Sequence, residues 1–311
     1  VSRFEDAQAR MRHIPEPAEP SEPLPIGEAE AEFTVGGVKR TLSPADQLNQ
    51  LVSYMDATYP RPDVTAPWRG GAGDRAEADL YLAHLPDRIT HAAMLMLGSA
   101  LDHTMPGVAY SDGITVEELP DLAATLFTPS EPTGRWAISL HPGGWWRGAG
   151  IARQMRWQPE VAAAAQLSGT TIVDLDYPLA PEHTVADMVA HVRRALDVVR
   201  SHNPQSVTIW GASSGGTLAT LLSNDVDALV LTYPSLNEFG RLPDDIRAGA
   251  EIPPAESWPR TLVQIALYDD RVARPDLPAS VRVVDYHSTH TIATPEESRR
   301  RIRDVADFLS T

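Results

Sequence analysis

Cysteine is absent from this chain and lysine nearly so: Lys39 is the only one, and every other basic residue is arginine. Without cysteine there is no disulfide, no thiolate nucleophile and no cysteine-held metal. The arginine skew reads as genomic base composition rather than function. Aromatic residues make up only 6% of the chain, and no apolar run approaches the roughly 20 residues that span a bilayer. The opening VSRFEDAQAR lacks the basic start and apolar core of a signal peptide, so a cytoplasmic location is the default expectation. Positive charge is also scarce: 26 basic against 42 acidic residues give a net charge of −16. Such a surface repels phosphate backbones and anionic lipid heads, so neither nucleic acid nor a membrane is an expected partner. Phosphate-binding glycine motifs are missing, which leaves nucleotide cofactors without support. His84, His91 and His103 are accompanied by no H-E-x-x-H or comparable carboxylate pairing, so no metal site is expected.

What is present suffices for one large domain, or one domain with a cap: 311 residues, 42% of them hydrophobic. Residues 15–25, PEPAEPSEPLP, are too rich in proline and glutamate to pack a core and read as an extended strap. FTVGGVKRTL (33–42) suits a short hairpin. Ser43-Pro44 has the cap and first-turn chemistry of a helix running to about Tyr59. Residues 61–75 read as loop and 76–104 as helix interrupted near Pro86. From residue 113 the pattern changes. Short β-type runs stand at 114–119, 122–127, 136–140, 170–176, 206–210, 228–231, 262–267 and 281–284, mostly separated by helical stretches. This alternation predicts an α/β fold, a mainly parallel twisted sheet with helices on both faces, plus a helical N-terminal cap. The expected division is 1–107 for strap and cap and 108–311 for the sheet domain. Val185, Met188, Val189, Val192, Leu196 and Val199 form an apolar helical stripe. Thr294-Pro295-Glu296-Glu297 predicts a capping box opening the last helix.

The strongest local signal is Gly211-Ala212-Ser213-Ser214-Gly215-Gly216, between the strand SVTIW and a plausible helix, TLATLLSN. A G-x-S-x-G turn in that context forces its serine into a strained, exposed position at the strand's C-terminal end. Glycines at 211 and 215 remove side chains that would clash there. The second signal is His141-Pro142-Gly143-Gly144-Trp145-Trp146, directly after the strand WAISL. Gly143 and Gly144 each offer an N–H to a developing oxyanion, and Ser214 offers a third. Trp145 and Trp146 suit an acyl pocket or plain core packing equally. A carboxylate, Asp269 or Asp270, follows the strand TLVQIAL. A histidine, His287 or His290, follows the last strand, VRVVDY, and His290 lies in the loop ahead of the Thr294 cap.

HPGG (141–144), YPLAPEH (177–183) and GASSGG (211–216) occur in the order H-G-G-G, Y-R-L-A-P-E-H and G-D-S-A-G-G. This resembles the hormone-sensitive-lipase-like branch of the α/β-hydrolases, over about residues 108–311. The resemblance implies a serine carboxylesterase without metal or cofactor, acting on a small-molecule ester. Its nucleophile would be Ser213, its acid Asp269 and its base His290, with Gly143, Gly144 and Ser214 as the oxyanion hole; Trp145 and Trp146, from their place beside those glycines, stand as the candidate substrate contacts. Tyr177 to His183 is by resemblance a structural turn. The chain departs from the branch at Pro142, which replaces a glycine that is not an oxyanion donor, and at Ala212, which replaces an acidic residue. Asp269 follows Ser213 by only 56 positions, fewer than the branch leads one to expect, so the N-terminal region is the expected lid. Two other readings stay open: a peptidase or amidase, because Asp269-Asp270-Arg271-Val272 also resembles the prolyl-oligopeptidase branch, and a ligand-binding receptor on the same scaffold. Oligomeric state is open.

Overall fold

The computed structural model describes residues 42–97 and 113–311, preceded by two short strands, β1 (Thr34–Val35) and β2 (Val38–Lys39). The strap at 15–25, the Gly36-Gly37 turn, His103 and the end of the 76–104 stretch lie outside the described residues. The chain divides into two compact units, Val1–Ser43 and Pro44–Thr311. In the first, Thr34 pairs with Lys39 and Val35 with Val38, antiparallel, as expected of a hairpin in FTVGGVKRTL.

The second unit is built on eight strands: β3 (Thr115–Leu119), β4 (Ala124–Thr128), β5 (Arg135–Leu140), β6 (Thr171–Leu175), β7 (Ser206–Ala212), β8 (Ala228–Thr232), β9 (Arg260–Ala266) and β10 (Arg282–Tyr286). They lie in the order β10-β9-β8-β7-β5-β6-β4-β3. The strands from β5 to β10 are parallel, and β4 and β3 extend the sheet antiparallel. Successive side chains in a strand point to opposite faces, and the core divides accordingly. Ile138, Leu140, Ile209, Leu229 and Leu231 join one apolar cluster, while Ala137, Trp210, Ala228 and Val230 join the other. A parallel sheet buried on both faces needs such continuous apolar runs.

Helices cover both faces. The stripe from Val185 lies on α5 (Val185–Ser201), and Val185, Met188, Val192, Leu196 and Val199 are buried with the first cluster, Val189 packing at its edge. The second cluster takes Val161 from α4 (Gln158–Ser168) and Ile302, Val305 and Leu309 from α7 (Pro295–Leu309). The capping box expected at Thr294 is only half formed. The Thr294 hydroxyl accepts from the Glu297 N–H, but the Glu297 carboxylate turns away to the His287 N–H and to Arg300. A complete box forms instead on α5, between Thr184 and Asp187.

Ahead of the sheet, α1 (Pro44–Thr58), α2 (Arg75–Ala83) and α3 (Leu85–Leu97) form the helical N-terminal part. The break expected near Pro86 falls at His84, and Pro86 sits in the first turn of α3, where it costs no helical hydrogen bond. Among the described residues no helix is long and apolar enough to cross a membrane.

Candidate active site

The turn after β7 carries the first element of the site. Ser213 has φ 52° and ψ −118°, a strained conformation for a residue with a side chain. Its neighbours hold it there. The Ser213 N–H donates to the Thr232 carbonyl at 2.9 Å, and its own carbonyl accepts from the N–H groups of Thr217 and Ser235. The helix that follows, α6 (Ser214–Thr220), starts three residues earlier and ends sooner than TLATLLSN suggests. The early start follows from Gly215 and Gly216, which let the first turn close against the sheet. A Cβ on Gly215 would meet the Leu140 carbonyl at 2.3 Å, and one on Gly211 would meet the Gly215 carbonyl at 2.2 Å.

The Ser213 hydroxyl lies 2.9 Å from His290 Nε2, and His290 Nδ1 lies 2.8 Å from Asp269 Oδ2. An ionised carboxylate only accepts, so the imidazole proton sits on Nδ1 and leaves Nε2 as an acceptor facing Ser213. Both side chains are nearly buried, 9% exposed for His290 and 8% for Asp269. Burial pushes the Asp269 carboxyl up. Its hydrogen bond and charge interaction with His290, with the N–H groups of Val272 and Arg271, outweigh that and hold it below the ordinary carboxylate value.

Of the alternatives the sequence left open, Asp270 and His287 lie elsewhere. Asp270 pairs with Arg61 at 2.8 Å on the surface. The His287 N–H is bound by Glu297, and its ring lies beside Tyr268, centroids 6.0 Å apart. His290 is presented by a compact loop in which Thr289 and Ile292 exchange hydrogen bonds, with Ile292 buried beneath.

After β5 the chain folds tightly back. The Arg147 N–H donates to the Gly143 carbonyl, and a Cβ on Gly143 would stand 1.6 Å from the Arg147 carbonyl. Gly144 takes φ +62°. Among the described residues the N–H groups of Gly143 and Gly144 donate to no protein acceptor. Beneath the turn, His141 is fully buried, stacked on Tyr177 with centroids 4.3 Å apart, and the Tyr177 hydroxyl donates to the His141 carbonyl at 2.7 Å. Burial pushes His141 down to about 4, so its ring is neutral at pH 7. This contact explains why YPLAPEH acts as a structural turn.

A cavity of about 330 Å³ opens beside Ser213 and His290. Gly143, Gly144, Trp145 and Trp146 line it, yet Trp145 and Trp146 are only 4% and 2% exposed, and Trp145 packs on Phe239. Each tryptophan therefore both walls the cavity and fills the core. Val64, Trp68 and Leu82 from the N-terminal part close another side, together with Leu242 from the segment between β8 and β9.

Several site neighbours carried no motif. Tyr233, with φ 49°, holds Ser288 through its hydroxyl and lies 6.3 Å from the His290 ring. Its position after β8 was the available signal, since ligands gather at the C-terminal ends of parallel strands. Arg75 on α2 donates to the carbonyls of Trp146 and Ala180 and pairs with Glu182, while Asp79 accepts from the Gly148 N–H at 2.8 Å. Nothing local marks those two, because their partners lie in distant segments.

Residues 137–275 match a family described as alpha/beta hydrolase fold. A search of curated protein sequences finds no match. Among solved structures, a bacterial esterase of the hormone-sensitive lipase family is 16% identical, with a TM-score of 0.54, covering 87% of this chain and 99% of that one. An esterase from Pyrobaculum calidifontis is 22% identical, with a TM-score of 0.47 over 60% of this chain and 80% of the other. A thermostable carboxylesterase cloned from a metagenomic library is 20% identical, with a TM-score of 0.45 over 60% and 83%. The family match and the first of these likenesses establish the fold, a mostly parallel sheet between helices of the α/β-hydrolase type, which the three ordered motifs implied.

Proposed function

We propose that this α/β-hydrolase-fold chain is a serine carboxylesterase acting on a small-molecule ester through an acyl-enzyme. One observation carries the reading: the unbroken hydrogen-bonded chain from Asp269 through His290 to Ser213 at the edge of an open cavity. In this reading His290 Nε2 takes the Ser213 proton as the hydroxyl oxygen attacks the ester carbonyl. Asp269 orients the imidazole and stabilises its charged form. The N–H groups of Gly143, Gly144 and Ser214 then receive the oxyanion, a preorganised stabilisation that usually contributes the largest share of the rate. The alcohol leaves with the proton from His290, and a water activated by the same ring releases the acid. Residues 44–97 act as a cap, a role supported by Val64, Trp68 and Leu82 in the cavity wall.

Ser213→Ala is expected to keep the fold and to lower turnover of a p-nitrophenyl ester by several orders of magnitude. Turnover equal to that of the parent would overturn the assignment. A fluorophosphonate probe should label Ser213 in the parent only, and an unlabelled parent would favour a receptor instead. Comparing an ester and an amide of the same acyl group separates the esterase from an amidase.

A further inference from the structure

The chain carries a net charge of −16, yet the cavity beside Ser213 is walled by Arg69, Arg147, Arg156, Arg271 and Arg301, against only Glu160 and Glu238. Two of these arginines are matched: Arg69 with Glu238 at 3.1 Å and Arg301 with Glu160 at 2.6 Å. The other three have no carboxylate within ion-pair distance among the described residues. Arg156 donates to the Thr291 carbonyl at 3.1 Å, next to His290. Arg271 follows Asp269 by two residues, and only its backbone N–H is engaged there. Arg147 is the most demanding case. It is 6% exposed, its Nε is buried without a hydrogen-bond partner, and its guanidinium lies over the Trp146 ring at 6.0 Å. The nearby Asp79 already accepts from Gly148.

A guanidinium taken out of water without a paired counter-charge is strongly disfavoured. The cost here is compounded by proximity. Burial, and then the charges of Arg271 and Arg156 working against Asp79, push Arg147 down to about 10; burial also lowers Arg156 to about 10, with Arg301 and Arg271 adding to it against Glu160. All three stay cationic at neutral pH. Asp79, Glu160 and Asp270 offset this only in part and from beyond ion-pair distance, and the space the three arginines line is the substrate cavity. The same cavity is walled by Trp145, Trp157 and Leu242, so its complement has an apolar body and a negative end.

We propose that the substrate is an ester bearing a carboxylate, which Arg147, Arg156 and Arg271 receive while the ester carbonyl lies at Ser213. Planar guanidinium and carboxylate groups pair bidentately, giving both affinity and orientation. This rests on the esterase reading, and it names the charge of the molecule which that site hydrolyses.

The test uses two matched pairs of esters differing only in whether the carboxylate is capped. p-Nitrophenyl hydrogen adipate against p-nitrophenyl methyl adipate puts the charge on the acyl side. p-Acetoxybenzoate against its methyl ester puts it on the leaving group. In one pair kcat/KM should favour the anion by about tenfold or more, carried mainly in KM, as charge-assisted hydrogen bonds provide. That ratio should fall about tenfold in the double variant Arg147→Gln, Arg271→Gln and recover in part in Arg271→Lys on the Arg147→Gln background. Ratios near one in both pairs, with the neutral esters still hydrolysed, overturn the carboxylate proposal and leave the esterase standing. A preference that survives the double variant overturns the assignment to these arginines. Binding is read separately in Ser213→Ala, where adipate monomethyl ester should raise Tm and dimethyl adipate should not. Equal shifts, or none, sink the proposal whatever the turnover data say.

Discussion

Two sets of residues wall the Ser213 cavity, some of them on the same loops, and they are written differently in the chain. One is made of the loops after β5, β7, β9 and β10, where Gly143, Gly144, Ser213, Asp269 and His290 stand. The other combines side chains from the N-terminal helical part with arginines drawn from separate segments. The first wall depends on backbone geometry that few residue types tolerate, so it leaves motifs. The second depends on where long side chains end up, and those leave none.

The first wall should be the more fragile to small changes. Asp269→Asn is expected to lower kcat by about a thousandfold or more, through loss of the imidazole orientation. Its neighbour gives the contrast: Asp270 pairs with Arg61 on the surface, where exposed ion pairs contribute at most about 1 kcal/mol. Equal losses at the two aspartates would break the distinction between them. Gly143→Ala comes next. Its Cβ cannot coexist with the Arg147 carbonyl 1.6 Å away, so the turn must move and kcat should fall about a hundredfold. Circular dichroism checks that the fold persists.

His141, under the same turn, gives a prediction in pH. Burial lowers its folded value from 6.5 to about 4, so the unfolded chain takes up the proton first. The stability it contributes is complete above pH 6.5 and is lost as pH falls toward 4, by about 3 kcal/mol. His141→Gln should therefore lose less stability between pH 7 and pH 4 than the parent in urea unfolding. Parallel losses would mean that the buried ring does not carry this dependence.

Residues behind the walls should yield smaller effects. Arg75→Ala removes the hydrogen bonds to the Trp146 and Ala180 carbonyls, and kcat/KM is expected to fall about tenfold. A loss as large as that of Asp269→Asn would erase the difference between the walls. Asp270→Asn should stay within about twofold of the parent.

The strands were legible because a parallel sheet demands apolar runs, and each of the eight stands within a few residues of its expected place. Ser213 was legible because its turn excludes side chains at 211 and 215. Capping was less so. Thr294 caps as expected, but Glu297 had a better partner in the His287 N–H, which stands at the end of the preceding strand, outside the local capping pattern. The choice of His290 over His287 and of Asp269 over Asp270 leaned on position and resemblance, because two like residues a few places apart share the same local chemistry.

The sequence by itself determined the order of strands and helices, the strained Ser213 turn, the glycine turn after β5 and the set of charged residues from which any acid and base would have to come. These are local matters of apolar periodicity and of backbone conformations that only certain residues accept. The tertiary structure decided which carboxylate and which histidine reach Ser213, how the tryptophans divide between core and cavity, and that an acidic chain walls its cavity with five arginines against two glutamates. Those depend on distances between segments far apart in the chain, and the identity of a side chain does not reveal what it will find at its tip.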